Sequence, residues 1–190
     1  MIRGLVVAAT RSGAGKTTIA LGLMRALVRG GLTVQPYKCG PDYIDPAFHE
    51  AETGRPSYSL DAWAMQPQTL LDMAARHPAD IAIAEGVMGL FDGVHGRGAT
   101  ADVSARLGWP VVLILDVSGQ TATAAAIAAV AQKGRIVCET STLALEDKMA
   151  FRTALEAGGQ IPLDCPLSGT GAQAINKDLV VFASGDTAAI

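Results

Sequence analysis

Largely apolar runs at residues 5–9, 33–38, 81–84, 111–115, 136–138, 161–163 and 179–183 alternate with helix-length segments along the chain. Short runs that are apolar through most of their length, rather than at every second position, predict strands covered on both faces. Their alternation with helices predicts a mostly parallel sheet. The expected fold class is therefore α/β: a three-layer, doubly wound, mostly parallel sheet with helices on both faces, of the P-loop NTPase or Rossmann-like kind. Residues 16–29 and 121–132 read as helices, the second so alanine-rich that propensity alone favours it. Residues 145–157 form another, closed by Gly158-Gly159.

Two segments break the rhythm. Residues 40–59 carry Pro41, Pro46 and Pro56 among polar residues, and residues 86–98 carry five glycines with little periodicity. Both are expected as irregular excursions, where function often resides. The whole, residues 1–190, reads as a single domain: 49% of residues are hydrophobic and 17% charged, enough to bury a core without staples. A net charge of −3 supplies no electrostatic attraction for nucleic acid or an anionic membrane, so a small molecule is the expected partner. Oligomeric state leaves no mark in the sequence. With no run long enough for a bilayer and a start unlike a signal peptide, the expected location is cytoplasmic. Cys39, Cys138 and Cys165 lie far apart without C-x-x-C spacing and are expected as reduced, buried thiols.

The loop after the first apolar run carries the chemistry. Thr10-Arg11-Ser12-Gly13-Ala14-Gly15-Lys16-Thr17-Thr18 follows the run at 5–9 and opens the helix at residue 16. Strand, glycine-rich loop and helix in that order make an anion cradle. Glycines let successive N–H groups converge on phosphate oxygens, and the helix N-terminus adds partial positive charge. Ser12, Gly13, Ala14, Gly15, Lys16, Thr17 and Thr18 are the candidate ATP-binding residues, with Lys16 neutralising the β- and γ-phosphates and the Thr17 hydroxyl ligating Mg²⁺. One position departs from G-x-x-x-x-G-K-[ST], because Thr10 stands where the first glycine belongs. A carboxylate at the end of a neighbouring strand should complete the site, and Glu85 and Asp116 both qualify; spacing does not choose between them. Gly96-Arg97-Gly98-Ala99-Thr100-Ala101 fits G-x-G-x-x-A but follows no strand, which makes it a weak dinucleotide signal.

Residues 12–18, Pro36-Tyr37-Lys38-Cys39-Gly40-Pro41-Asp42-Tyr43-Ile44-Asp45-Pro46, Ser59-Leu60-Asp61-Ala62-Trp63 and Glu85-Gly86-Val87-Met88-Gly89-Leu90-Phe91-Asp92-Gly93 together resemble one family. It is the synthetase domain of cobyrinic acid a,c-diamide synthase, related to dethiobiotin synthetase, and the resemblance spans roughly residues 1–131. It implies Thr17, Asp42 and Glu85 as the Mg²⁺ set, against Asp116. It also implies Lys16 and Lys38 as catalytic, and Lys38, Tyr43 and Asp45 as part of a substrate-facing loop. The implied chemistry is ATP-dependent phosphorylation of a carboxylate, after which ammonia displaces the phosphate to leave an amide.

A second resemblance begins near residue 133. Gly134-Arg135-Ile136-Val137-Cys138-Glu139-Thr140-Ser141-Thr142, Leu163-Asp164-Cys165-Pro166-Leu167-Ser168-Gly169-Thr170-Gly171 and residues 179–186 are similar to the later half of the nucleotide-binding domain of 3-hydroxyisobutyrate dehydrogenase-type enzymes. In that family Ser168-Gly169 would help hold a substrate carboxylate, and residues 140–142 would border the nicotinamide. No strand–GxGxxG–helix unit opens the chain, so hydride transfer is not expected. Residues 1–132 thus read as a synthetase-like part and 133–190 as a Rossmann-like part, joined as a chimera, engineered or recombined, within or just after the alanine-rich helix. Both halves read as truncated, the first lacking a glutaminase domain. The expectation is a Mg·ATP-binding domain that is catalytically incomplete. The alternatives are an inert engineered fold and an NAD(P)-binding module.

Overall fold

A computed structural model describes residues 3–117, 120, 123–124, 126, 133–140, 143–168 and 180–189. They divide into two compact units, Met1–Asp116 and Val117–Ile190. The first unit runs β1 (Gly4–Ala9), α1 (Lys16–Arg29), β2 (Val34–Cys39), α2 (Asp45–Thr53), β3 (Tyr58–Leu60), α3 (Pro67–Ala75), β4 (Ile81–Glu85), α4 (Thr100–Leu107) and β5 (Val111–Ile114). Its five strands form one sheet in the order β3-β2-β4-β1-β5. Every neighbouring pair is parallel, so all five strands end on one edge, and the loops that follow them gather there.

Alternation along the strands explains the layers. Val6, Tyr37, Ala82 and Ala84 face one way and pack with Leu70 and Ala74 of α3 and Val103 and Leu107 of α4. Val7, Val34 and Ile83 face the other way and pack with Ala20 and Met24 of α1. Successive side chains of a strand point to opposite faces, so a sheet buried on both sides must be apolar at consecutive positions, as Val6-Val7-Ala8-Ala9 is. The expected three-layer α/β architecture is present in this unit.

The second unit contains β6 (Ile136–Glu139), α5 (Leu145–Gly158), β7 (Ile161–Asp164), β8 (Leu167–Ser168), β9 (Val180–Val181) and β10 (Ser184–Gly185). Strands β6 and β7 are parallel, β10 runs antiparallel to β7, and β8 pairs antiparallel with β9. Gly159, at φ +81°, ends α5 in the left-handed conformation, as the Gly158-Gly159 pair predicted.

Three expectations change. Residues 40–59 are not irregular throughout: α2 and β3 lie inside them. Pro46 sits in the first turn of α2, where its missing N–H costs nothing, and Gly54, at φ +71°, closes the helix. The chain reads as a single domain built on one sheet, whereas the described strands of residues 133–190 pair among themselves. Of the three thiols only Cys39 is buried; Cys138 is exposed and Cys165 intermediate. Most of the helix expected at 121–132, Ser141 and Thr142 of the T-S-T turn, Gly169 and the following residues 170–171, and Leu179 lie outside the described residues.

The start of β1 allows a direct check on core packing. A Cβ placed on Gly4 would come within 2.5 Å of the Trp109 ring, itself buried against Tyr37. Gly4→Ala is expected to lower stability by about 1–3 kcal/mol through overpacking, read as a shifted urea midpoint followed by tryptophan fluorescence.

Candidate functional site

The loop between β1 and α1 owes its shape to two glycines. Gly13 and Gly15 adopt φ of +74° and +89°, and a Cβ on either would meet nothing within 4 Å. The requirement is therefore for the left-handed backbone, not for space. Thr10 is outside that region, since Met88 and His95 are the non-glycine residues with positive φ among those described. The missing first glycine thus introduces no strain. Helix α1 has no side-chain cap at its N-terminus, which leaves its first amides available to an anion.

Strand register brings the remaining groups to this loop. Lys38 stands opposite Glu85 across β2 and β4, and Val7 of β1 stands opposite Glu85 on its other side. The Thr17 hydroxyl donates to Glu85 Oε1 at 2.6 Å. The Lys38 ammonium lies 3.2 Å from the same oxygen, pairs with Asp45, and reaches Asp42 at 3.5 Å. His49 of α2, fully buried, contacts Glu85 Oε2 through Nε2 at 2.7 Å and the Ser57 hydroxyl through Nδ1 at 3.0 Å. Asp42 Oδ1 accepts the amides of Ile44 and Asp45 at 2.8 and 3.2 Å, so it also shapes the turn into α2. Lys16 folds back over its loop, Nζ donating to the Arg11 carbonyl at 3.1 Å.

Ser12, Gly13, Gly15, Lys16, Thr17, Thr18, Lys38, Asp42, Asp45 and Glu85 line one cleft of about 400 Å³. Ala14 belongs to the loop without lining the cleft. Tyr43 is 88% exposed. Asp116, two residues beyond β5, pairs with Arg11, so the two carboxylates that spacing could not separate have different partners. Gly96 and Arg97 lie inside the turn closed by the Val94–Arg97 bridge, with Gly98 just beyond it, so the segment does not follow a strand. His49 escaped the sequence reading; its one trace there is position, four residues beyond Asp45 on the same helix face.

Burial disfavours the charges of Glu85, Lys38 and Lys16, and their partners decide the outcome. Burial would raise Glu85, but hydrogen bonds from His49 and Thr17 and the Lys38 charge outweigh it and hold the carboxyl below the usual glutamate range. Burial likewise works to lower Lys38, yet the Asp45 hydrogen bond and the Glu85 charge raise it. Lys16 is pushed down, by burial first and then by the charge of Lys38. Burial pushes Cys39 up to about 12 against the opposing charge of Lys38, which makes it an inert core thiol.

The donors suit a hard cation held jointly with a nucleotide. Because Thr17 spends its proton on Glu85, the lone pairs of Oγ1 remain open toward the cleft. Among the described residues no cluster of three His, Cys, Asp or Glu forms a metal cage. A divalent ion would need phosphate and water oxygens to fill its shell, which is how Mg²⁺ is ordinarily bound at phosphates. Thr17 and Glu85 meet directly, and Asp42 joins them through Lys38.

A parallel sheet with a glycine loop opening α1 and an acidic residue ending the adjacent strand defines a P-loop nucleotide-binding domain. The chain belongs to the CobQ/CobB/MinD/ParA nucleotide binding domain family, whose model matches residues 5–138. It is 55% identical over 132 residues to the hydrogenobyrinate a,c-diamide synthase of Rhodobacter capsulatus, a match covering 66% of this chain and 30% of that protein. It is 51% identical over 129 residues to the synthase of the same name from Rhizobium meliloti, with the same coverage. The chain thus spans about a third of the length of these relatives. Among solved structures it is similar in fold to the signal recognition particle receptor FtsY of Elizabethkingia anophelis, crystallised with GDP: TM-score 0.58 at 17% identity, covering 96% of this chain and 60% of that one. Chloroplast FtsY of Physcomitrella patens gives 0.53 at 19%, covering 96% and 62%. Neither a join near residue 132 nor the dehydrogenase likeness of residues 133–190 gains support from these matches. No helix among the described residues is long and apolar enough to cross a membrane.

The depressed Glu85 sets an acid limit. A carboxyl lowered by folding stabilises the protein above its unfolded value, about 4.3 for glutamate, and that contribution is lost as pH falls through the folded value. Glu85→Gln is expected to cost about 1–3 kcal/mol at neutral pH and to flatten the loss of stability between neutrality and strong acid, measured as urea midpoints across pH.

Proposed function

We propose that the cleft binds Mg·ATP and that, in the longer proteins to which this chain is related, it serves the activation of a carboxylate for amide formation. The observation that carries this reading is the Thr17–Glu85 hydrogen bond beside two buried ammonium groups, Lys16 and Lys38, in one cleft. The amides around Gly13 and Gly15 hold the phosphates, and Lys16 neutralises the β- and γ-phosphoryl oxygens. Thr17, Glu85 and Asp42 are the residues that hold Mg²⁺, directly or through water, and the ion supplies charge neutralisation at the phosphates when bound. Lys38, kept protonated by Asp45 and Glu85, stands where the transferring phosphoryl group passes.

In the proposed reaction a substrate carboxylate oxygen forms a bond to the γ-phosphorus as the bridging oxygen leaves with ADP. Ammonia then adds to the acyl carbon, inorganic phosphate departs, and a proton is lost to leave the amide. The names of the relatives point to the a and c carboxylates of hydrogenobyrinate as the substrate class. For the 190 residues by themselves the expected behaviour is nucleotide binding with little amide synthesis. The phosphate cradle is local to one β–loop–α unit, whereas a carboxylate pocket and an ammonia supply need groups from several strand ends held within about half an ångström.

Calorimetry with Mg·ATP, Mg·GTP and NADP tests the reading. Mg·ATP binding that falls at least about tenfold in Lys16→Ala is expected, consistent with the loss of a charge-assisted contact. NADP binding retained in Lys16→Ala would identify a dinucleotide module, and silence with every ligand would identify an inert fold.

A further inference from the structure

His49 is a histidine where an apolar residue would be expected. It lies on the inner face of α2 at 0% exposure, and both ring nitrogens have partners. Glu85 is ionised and can only accept, so Nε2 carries the proton and donates to Oε2. Nδ1 meets the Ser57 hydroxyl, which can donate or accept, at 3.0 Å. Together these bonds form a chain from Ser57 through His49 to Glu85, with Thr17 donating to the other carboxylate oxygen. Glu85 is thereby held from both sides: Oε2 is fixed by the ring, which fixes the direction in which Oε1 meets Thr17.

A plain core position would be served as well by leucine, because an apolar residue of similar volume carries no polar atoms that need partners. What leucine cannot do is orient a carboxylate. Partners lying behind a ligand group typically tune metal affinity by 10–100-fold without touching the ion.

We propose that His49 is a positioning residue for the cation at this site: it aims Glu85, and through Glu85 the Thr17 hydroxyl, so that a Mg²⁺ ion on the nucleotide finds its protein ligands already placed. The inference rests on the Mg·ATP reading above.

The test uses the 190-residue protein and a fluorescent ATP analogue. Affinity is measured in EDTA and again across a Mg²⁺ titration, which separates phosphate binding from cation placement. His49→Leu is expected to weaken apparent Mg²⁺ affinity 10–100-fold while shifting the EDTA affinity by no more than about twofold. His49→Gln, whose amide can still donate to Glu85, is expected to restore most of the loss. His49→Asn keeps a polar amide but falls short of Glu85, and it is expected to behave like His49→Leu. Equal weakening with and without Mg²⁺ reduces His49 to a packing role and overturns the inference, as does a Mg²⁺ affinity unchanged in His49→Leu. If His49→Leu does not fold, the Gln and Asn pair decides, and equal Mg²⁺ affinity in the two overturns it. A wild-type protein that binds the analogue no better with Mg²⁺ than without removes the Mg·ATP reading itself. That failure is visible before any variant is compared.

Discussion

The buried carboxylate of Glu85 is the constraint around which the first unit is arranged. A charge taken out of water at the end of a central strand is costly unless its lone pairs are filled. Here Thr17, His49 and Lys38 fill them. Those three residues come from the helix after the phosphate loop, the helix inside the 40–59 segment, and the neighbouring strand. Satisfying one group therefore ties together α1, α2, β2 and β4, and the cleft is the space that this tie leaves at the sheet edge.

The same arrangement divides the cations of the site into two kinds. Lys38 is surrounded by carboxylates and is held charged by them. Lys16 rests on a backbone carbonyl, and burial and its lysine neighbour disfavour its charge. Under the proposed reading a polyphosphate would supply the counter-charge that Lys16 lacks in the folded protein. Folding and ligand binding thus compensate each other's electrostatics.

Legibility differed by segment for physical reasons. Residues 10–18 could be read because a phosphate loop needs glycine at particular backbone positions and a lysine beside them, and the flanking strand and helix are strongly patterned. Thr10 looked like a defect only because a sequence pattern does not report φ. The 40–59 segment resisted reading because its prolines suggested breakage, whereas Pro46 starts a helix and that helix is anchored through a polar residue, His49. Apolar periodicity does not mark a buried histidine. In the second unit the βα pattern is readable, but which sheet a strand joins depends on partners remote in sequence.

By itself the chain determined its α/β class, the phosphate loop and the set of polar residues available for chemistry, because local backbone demands and hydrophobic periodicity are written residue by residue. Tertiary structure alone decided that Lys38 stands beside Glu85, that Arg11 takes Asp116, and that His49 closes behind the carboxylate. Those pairings span 36 to 105 positions of sequence. They arise from strand register and helix docking, which no local signal encodes.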